Sequence, residues 1–182
     1  MRITLIRHLP TEWNKKSWLQ GRRDIDISPP TDEMKSEIVR NKKYLERLSP
    51  FDLVLASSLK RTQQTANLYG YNALQEELLN ELDFGPFEGV PKKRLIEKYG
   101  NEWLRNPREL VLGESLQNLE ERIVLFLEKF QKQDNILVFG HGSWIRAMLS
   151  YNRYGDINHM NDIPVKNNEC ITLVVKAASK RT

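Results

Sequence analysis

Residues 2–8 read RITLIRH, a short apolar and β-branched segment that ends on the adjacent side chains Arg7 and His8. An apolar run of this length, bounded by polar residues, is typical of a buried β-strand. Two further segments have the same form, FDLVLASS at residues 51–58 and NILVFGHGS at residues 135–143. The three predicted strands end, in order, on Arg7–His8, on Ser57–Ser58 and on Gly140–His141–Gly142.

Helical segments lie between these strands. Thr31 or Asp32 is suited to cap the first of them, and Gly70 to close the second. The predicted helices span residues 31–48, 58–70, 91–100, 115–133 and 144–152, and a last strand spans 170–176. Strands that alternate with helices indicate a mostly parallel central sheet flanked by helices. We therefore predict one α/β domain over residues 1–182, with three layers in the order α/β/α.

Composition narrows the class of protein. The 182 residues are 40% hydrophobic and 29% charged, which is typical of a globular chain. The net charge of +4 is spread along the sequence, so we expect attraction for small anions and no nucleic-acid partner. No apolar run is long enough to cross a membrane and no leader is evident, so we expect no membrane partner and a cytoplasmic location. The single cysteine, Cys170, is expected to be a packed strand thiol. The oligomeric state is not readable from the sequence.

Cationic and titratable side chains converge on one edge of the predicted sheet. In parallel sheets, ligands bind beyond the carboxyl ends of the strands. Arg7, His8 and His141 follow strands directly, and Arg61 follows the second strand closely. Guanidinium groups match phosphate oxygens, and a histidine is able to form a covalent bond to a phosphoryl group. The sequence therefore predicts a phosphate pocket at this edge.

The chemistry of such a pocket makes specific demands on the two histidines. The nucleophile needs one free ring nitrogen, with the other donating to a backbone carbonyl. The second histidine serves best as a cation, and the N–H groups of Gly142 and Ser143 add anion-binding donors. A leaving oxygen needs an acid, which residues 80–89 offer as Glu81, Asp83 or Glu88. Three histidines and one cysteine without ligand spacing predict no metal and no cofactor.

Six segments of this chain resemble the histidine phosphatase superfamily, also called phosphoglycerate mutase-like, and they occur in its order. They are LIRHLPTEWN, GRRDIDIS, SSLKRTQQTA, ELDFGPFEG, GESLQNLEERI and FGHGSWIR. The resemblance runs from about residue 3 to about residue 147 and covers most of the chain.

The resemblance implies roles for individual residues. His8 matches the nucleophile that becomes a phosphohistidine, and Glu81 matches the proton donor and acceptor. Arg7 and Arg61 match the arginines that clamp phosphate, and His141 matches the second pocket histidine. The resemblance places Asn14, Arg22 and Ser57 in or near the phosphate pocket and implies that Thr11 supports the loop. Gly142 joins this phosphate-binding set through its backbone N–H group.

The chain departs from the family after the nucleophile, where Leu9–Pro10 replaces the usual glycine. A residue before proline is biased to extended backbone, so we expect negative φ at Leu9 and a stiffer loop. We also expect the leucine side chain near the mouth of the pocket, with an effect on substrate preference. The four tryptophans, Trp13, Trp18, Trp103 and Trp144, are expected to be packing residues, with Trp18 or Trp103 at the entrance as the alternative. His159 is expected to be a loop residue.

The resemblance implies a metal-independent phosphomonoesterase that hydrolyses a small phosphorylated metabolite through phospho-His8. Sugar phosphates, nucleoside monophosphates and ribazole phosphate are all compatible substrates. Three alternatives stay open: a phosphoglycerate-type mutase, a protein phosphohistidine or phosphoserine phosphatase, and a catalytically silent protein that binds phosphorylated ligands.

Overall fold

The computed structural model describes residues 1–176 and contains a five-stranded, mostly parallel sheet. Its strands are β1 (Arg2–Arg7), β2 (Leu53–Ala56), β3 (Leu74–Gln75), β4 (Asn135–Gly140) and β5 (Cys170–Val174). They lie in the order β3-β2-β4-β1-β5, and only β5 runs antiparallel to its neighbour. This confirms the predicted sheet. The prediction of one domain to residue 182 includes residues 177–182, which lie outside the described residues.

The register of β1 against β4 brings the two predicted pocket histidines together. The paired residues run from Arg2 opposite Asn135 to Arg7 opposite Gly140. The N–H of His8 then donates to the carbonyl of Gly140 at 3.0 Å, which extends the pairing by one residue. Because the two parallel strands end side by side, the next residue of each strand, His8 or His141, enters the same site.

Residues 1–176 contain seven α-helices: α1 (Glu12–Lys15), α2 (Asp32–Leu48), α3 (Lys60–Leu68), α4 (Lys92–Tyr99), α5 (Asn101–Arg105), α6 (Leu116–Lys129) and α7 (Gly142–Tyr154). All five predicted helices are present. The hydroxyl of Thr31 caps α2 by accepting from the N–H of Met34 at 3.2 Å. Of the two predicted caps, Thr31 and Asp32, the structure has Thr31. The structure adds α1, α5 and β3, of four, five and two residues.

Two apolar clusters lie on opposite faces of the sheet. Successive side chains of a strand point to opposite faces, so Leu5 packs with the α6 and α7 side, while Ile6 packs with the α2 and α3 side. Strand β4 is buried along its whole length. Helices on both faces of a central sheet make the three predicted layers. No helix within residues 1–176 has the length and apolarity needed to span a membrane.

Cys170 lies in a strand, as predicted. It lies half-buried in β5, opposite Ile6 of β1. Burial raises the pKa of its thiol to about 11, so the thiol is protonated at neutral pH and is a poor nucleophile.

Candidate active site

His8 meets the geometric demand for a nucleophile. Its Nδ1 lies 2.7 Å from the carbonyl oxygen of Leu9, and a carbonyl only accepts, so Nδ1 carries the hydrogen. Burial lowers the pKa of His8 well below its ordinary value, and the charges of Arg61 and Arg7 lower it further. The ring is therefore neutral at pH 7, with a lone pair on Nε2.

His141 lies beside His8, and the centroids of the two rings are 5.4 Å apart. Its Nε2 is 2.7 Å from the hydroxyl oxygen of Ser57, and its Nδ1 is buried without a hydrogen-bond partner. Burial lowers the pKa of His141 well below its ordinary value, and the positive charge of Arg61 lowers it further. His141 is therefore neutral, whereas the sequence predicts a cation. A buried imidazolium beside arginines is unfavourable until a bound anion offsets the positive charge.

Two arginines supply fixed positive charge. Arg7 donates from Nη1 to the carbonyl of Val165 at 2.6 Å, and Arg61 donates to the carbonyls of Arg23 and Gly21 at 2.6 and 2.7 Å. Burial lowers the pKa of each guanidinium to about 10, so both remain cations at neutral pH. The Nε of each is buried without a partner. Neutral carbonyls orient the two arginines and leave their charge available to an anion.

Gly142 is required by the close approach of Arg7. A Cβ atom built at position 142 would lie 3.1 Å from both Nε and Cζ of Arg7, tighter than ordinary van der Waals contact. Any larger residue here would displace the Arg7 guanidinium.

Glu81 lines the cavity and accepts hydrogen bonds from the first turn of α7. Its carboxylate accepts from the N–H groups of Ser143 at 3.0 Å and Trp144 at 3.1 Å, and also from Leu82 at 2.9 Å. These N–H groups, two of them in the first turn of α7, hold the carboxyl group of Glu81 in place.

The other two acids of residues 80–89 hold the backbone. Asp83 accepts from the N–H of Gly85 at 2.9 Å. Glu88 accepts from the N–H groups of Arg22 and Phe84 at 3.0 and 3.1 Å. Among the described residues, Glu81 is the only carboxylate that lines the cavity. Of the three candidate acids, Glu81 is therefore the one that the structure places at the cavity.

The cavity has a volume of about 290 Å³ and contains most of the predicted site. Both candidate tryptophans, Trp18 and Trp103, line it. The predicted residues in its wall are Arg7, His8, Asn14, Arg61, Glu81 and Gly142. Asn14 is oriented by Thr11, whose N–H donates to the Asn14 Oδ1 at 3.0 Å and whose hydroxyl caps α1.

Three predicted site residues, His141, Arg22 and Ser57, do not line this cavity, as far as residues 1–176 define it. Arg22 donates from Nε to the carbonyl of Glu81 at 2.6 Å and lies 3.5 Å from the Glu114 carboxylate, so its charge is directed away from the phosphate site. Ser57 lies behind His141 and is fully buried. Arg22 and Ser57 support the site from outside.

The prediction that the Leu9 side chain lies near the mouth of the pocket is wrong. Its side chain is 1% exposed and packs in the cluster around Ile6 and Ile38, beneath the loop and not at the mouth. The predicted negative φ is confirmed, because within residues 1–176 the only non-glycine residues with positive φ are Ser17 and Asn168. The preceding strand places His8 toward the cavity, so the next side chain turns into the core.

Sequence reasoning missed several residues of the wall, chiefly Lys92, Arg146 and Asn167. Arg146 lies on the predicted helix 144–152, and because the structure starts this helix at Gly142, Arg146 follows Gly142 by four residues on the same face. Asn167 comes from a loop and donates to the carbonyl of His8 at 3.0 Å. His159, in contrast, is a loop residue 3.4 Å from Asp162 and outside this wall, as expected.

A neutral histidine facing buried guanidinium groups and a positioned carboxylate defines an enzyme that acts on phosphate esters. Comparison with known families agrees: residues 3–182 match the histidine phosphatase superfamily (branch 1). The chain belongs to this superfamily.

Similar proteins carry two kinds of name. A 2,3-bisphosphoglycerate-dependent phosphoglycerate mutase of Cytophaga hutchinsonii is 29% identical over 165 residues, covering 82% of this chain and 76% of the mutase. Phosphoserine phosphatase 1 of Hydrogenobacter thermophilus is 28% identical over 160 residues, covering 81% of this chain and 74% of the phosphatase. The alpha-ribazole phosphatase from Shigella flexneri shares the fold, with a TM-score of 0.74 and 24% identity over 94% of this chain and 89% of that one.

Proposed function

We propose that this chain is a metal-independent phosphomonoesterase that acts on a small phosphorylated metabolite through a phosphohistidine at His8. The observation that carries the proposal is the hydrogen bond from His8 Nδ1 to the Leu9 carbonyl, which leaves Nε2 unprotonated in a cavity lined by guanidinium groups. Such a nitrogen is a nucleophile toward phosphorus.

In the first step His8 Nε2 forms a bond to phosphorus as the bond to the leaving oxygen breaks. Arg7 and Arg61 stabilise the phosphoryl oxygens, and the protonated carboxyl of Glu81 donates its proton to the leaving oxygen. The products are an alcohol, phospho-His8 and the Glu81 carboxylate. His141 does not line the cavity within residues 1–176, but its ring centroid lies 5.4 Å from that of His8, and we assign it a supporting role in stabilising the transferring group.

In the second step water attacks phosphorus and the bond to His8 Nε2 breaks. The Glu81 carboxylate removes a proton from the water, which restores the acid for the next cycle. Inorganic phosphate leaves, and His8 returns to its neutral form.

The phosphoenzyme is the direct test. The enzyme is mixed with ³²P-labelled 4-nitrophenyl phosphate and denatured in alkali, because phosphohistidine is stable in base and labile in acid. We expect label on the protein that acid removes, and we expect none with His8→Ala. The control is His159→Ala, which also removes a histidine but lies outside the cavity wall. Full turnover by the His8→Ala protein would overturn the proposal.

A mutase is the second candidate, because the relatives include proteins named for that activity. It would use the same first step and then return the phosphoryl group to an organic acceptor instead of water. Incubation with 3-phosphoglycerate and a trace of 2,3-bisphosphoglycerate, followed by ³¹P NMR, distinguishes the two. We expect inorganic phosphate; an isomerised ester without phosphate release would identify the mutase.

A further inference from the structure

The proposed acid, Glu81, belongs to a segment of irregular backbone. Residues 80–84 lie between two short 3-10 turns, Glu77–Leu79 and Gly85–Phe87, and form neither helix nor strand. We call residues 78–83 the acid loop. Buried backbone groups outside a helix or sheet must find partners among side chains, and those partners then fix the course of the chain. The side chains that bind the acid loop therefore decide where the Glu81 carboxyl lies.

Two arginine side chains bind the carbonyl groups of the acid loop. Arg122, in α6, donates from Nη1 to the carbonyl oxygens of Leu78 and Asn80, both at 2.8 Å. Arg22 donates from Nε to the carbonyl oxygen of Glu81 at 2.6 Å. Hydrogen bonds from a charged donor are stronger than neutral ones, so the two guanidinium groups hold the loop tightly.

One carboxylate, that of Glu114, connects these arginines to each other. Its Oε1 lies 2.7 Å from Nη2 of Arg122 and 3.5 Å from Nη2 of Arg22. The same oxygen accepts from the N–H of Asp83 at 3.1 Å, so Glu114 also binds the acid loop directly. Burial raises the pKa of Glu114, but the hydrogen bond and the charge of Arg122 outweigh burial and bring the pKa below its ordinary value. Glu114 is therefore ionised at neutral pH.

Glu114 reaches the chemistry only through other groups. Its side chain is 10% exposed and does not line the catalytic cavity, as residues 1–176 define that cavity. The backbone groups that it holds, directly or through the arginines, lie on both sides of Glu81. The N–H groups of Ser143 and Trp144 hold the carboxyl of Glu81 itself. The backbone of the acid and its carboxyl thus have separate supports, and Glu114 is the centre of the first.

We propose that Glu114 is a positioning residue for the acid: through Arg22 and Arg122 it sets the place from which the Glu81 carboxyl gives its proton to the leaving oxygen. Without the charge of Glu114 both arginines lose their common partner and the acid loop shifts. A displacement of about 1 Å is enough to impair a proton transfer severely. This inference rests on the proposed phosphomonoesterase activity and adds a residue to its first step.

Two esters of nearly the same shape make the role measurable. 4-Nitrophenyl phosphate and 4-nitrobenzyl phosphate differ by one methylene group, but nitrophenolate leaves without a proton and the benzylic alkoxide needs one. The value of kcat/KM covers the steps up to phospho-His8 and excludes the later attack of water. We define the acid ratio as kcat/KM for the nitrobenzyl ester divided by kcat/KM for the nitrophenyl ester. Partial unfolding or weaker phosphate binding lowers both values and leaves the acid ratio unchanged.

The central variant is Glu114→Gln, which removes the charge and keeps the size of the side chain. We expect the acid ratio to fall about 10- to 100-fold, while kcat/KM for the nitrophenyl ester changes little. Glu120→Gln is the matched control and should keep the acid ratio. Glu120 also lies in α6, pairs with Arg108 at 2.9 Å and accepts from the N–H of Ile157 at 3.2 Å, but it holds no group of the acid loop.

Two further proteins show whether the effect passes through Glu81. Adding Glu114→Gln to Glu81→Gln should cause no further fall of the acid ratio, because a positioning residue has no effect once the group that it positions is gone. Arg22→Gln frees the Glu81 carbonyl alone and should lower the acid ratio by a smaller factor. The Arg22 side chain is 37% exposed, so this variant covers the case in which Glu114→Gln does not fold.

An unchanged acid ratio in Glu114→Gln would overturn the inference, and so would an equal fall in Glu120→Gln or a further fall in the double variant. If Glu114→Gln does not fold, an unchanged acid ratio in Arg22→Gln overturns it instead. The proposed function survives each of these results as long as labelled 4-nitrophenyl phosphate still labels His8. Its own failure would appear as an unlabelled protein, whatever the acid ratio.

Discussion

At the scale of single residues, hydrogen bonds decide which nitrogen of His141 carries a proton. The Thr62 hydroxyl lies 2.9 Å from the Leu59 carbonyl, which only accepts, so its hydrogen is used there. In the contact of 2.8 Å between the two hydroxyl groups, Ser57 is therefore the donor and Thr62 the acceptor. Ser57 is left as an acceptor, and Nε2 of His141 must be the donor at 2.7 Å. The lone pair is therefore on the buried Nδ1, which is where the ring gains a proton.

Ser57 is therefore a positioning residue, and Ser57→Ala tests this. We expect kcat to fall about tenfold, because the hydrogen bond that selects the tautomer contributes roughly 1–1.5 kcal/mol. The pH dependence of kcat should also shift, which simple loosening of the core would not produce. Ser57→Thr keeps the hydroxyl and should restore both. Unchanged pH profiles in Ser57→Ala would contradict the assigned tautomer.

Leu9 contributes to stability through its burial. Leu9→Gly introduces the glycine usual in the family and removes a fully buried side chain, so we expect unfolding free energy to fall by about 3–5 kcal/mol. Urea unfolding measures it. Leu125→Gly is the control: Leu125 is 50% exposed on α6, and only the helix propensity of about 1 kcal/mol should be lost. Equal losses in the two variants would refute this account of Leu9.

At the scale of elements, the first turn of α7 organises the chemistry. Gly142 gives room to Arg7, the N–H groups of Ser143 and Trp144 hold Glu81, and Arg146 follows one turn later. One helix thus fixes the positions of Arg7 and Glu81 relative to each other. A shift of this helix would disturb both together.

Glu81→Gln separates the two chemical steps. Nitrophenolate leaves without a proton, whereas the attacking water still needs a base, so 4-nitrophenyl phosphate should give a burst of about one equivalent per site. Steady-state turnover should be about 10²–10⁴-fold lower. Stopped-flow absorbance measures both. The control is Asp83→Asn, because Asp83 lies outside the cavity wall and hydrogen-bonds the backbone. This variant should keep normal turnover. A Glu81→Gln protein with normal turnover would exclude Glu81 as the acid and base.

The elements also show what a sequence can reveal. Long segments with a clear period, such as α2, α6 and β4, were predictable because their burial follows directly from the apolar spacing. Helices α1 and α5 are too short for a period to appear, and β3 pairs two residues. At the site, residues next to strand ends were predictable. Asn167 and Lys92 reach the cavity through tertiary packing of loops and a helix start, and local sequence carries no record of that packing.

At the scale of the whole molecule, two buried neutral histidines make stability depend on pH. Burial and neighbouring arginines lower the pKa of His8 and His141 below the ordinary 6.5. The unfolded chain then binds more protons than the folded one below that pH, so the unfolding free energy falls as the pH falls.

The expected slope is up to roughly 1.4 kcal/mol per pH unit for each histidine below about pH 6.5. Urea unfolding between about pH 7 and pH 5 measures it, and His8→Gln should have a shallower slope than the unmutated protein. His159→Gln removes an exposed histidine and should keep the original slope. Identical slopes in all three proteins would show that His8 is not held neutral by the fold.

The sheet order has a consequence for synthesis. Strand β1 carries Arg7 and His8, yet both of its partners, β4 and β5, come late in the chain, and Arg2 is 133 residues from Asn135. On the ribosome β1 therefore emerges as an apolar segment with two open edges and has no sheet partner until most of the chain has been translated. Contacts of such long sequence separation slow folding and leave hydrophobic surface exposed in the meantime. The segment that contains His8 is thus exposed on the nascent chain well before the strands that pair with it have been made.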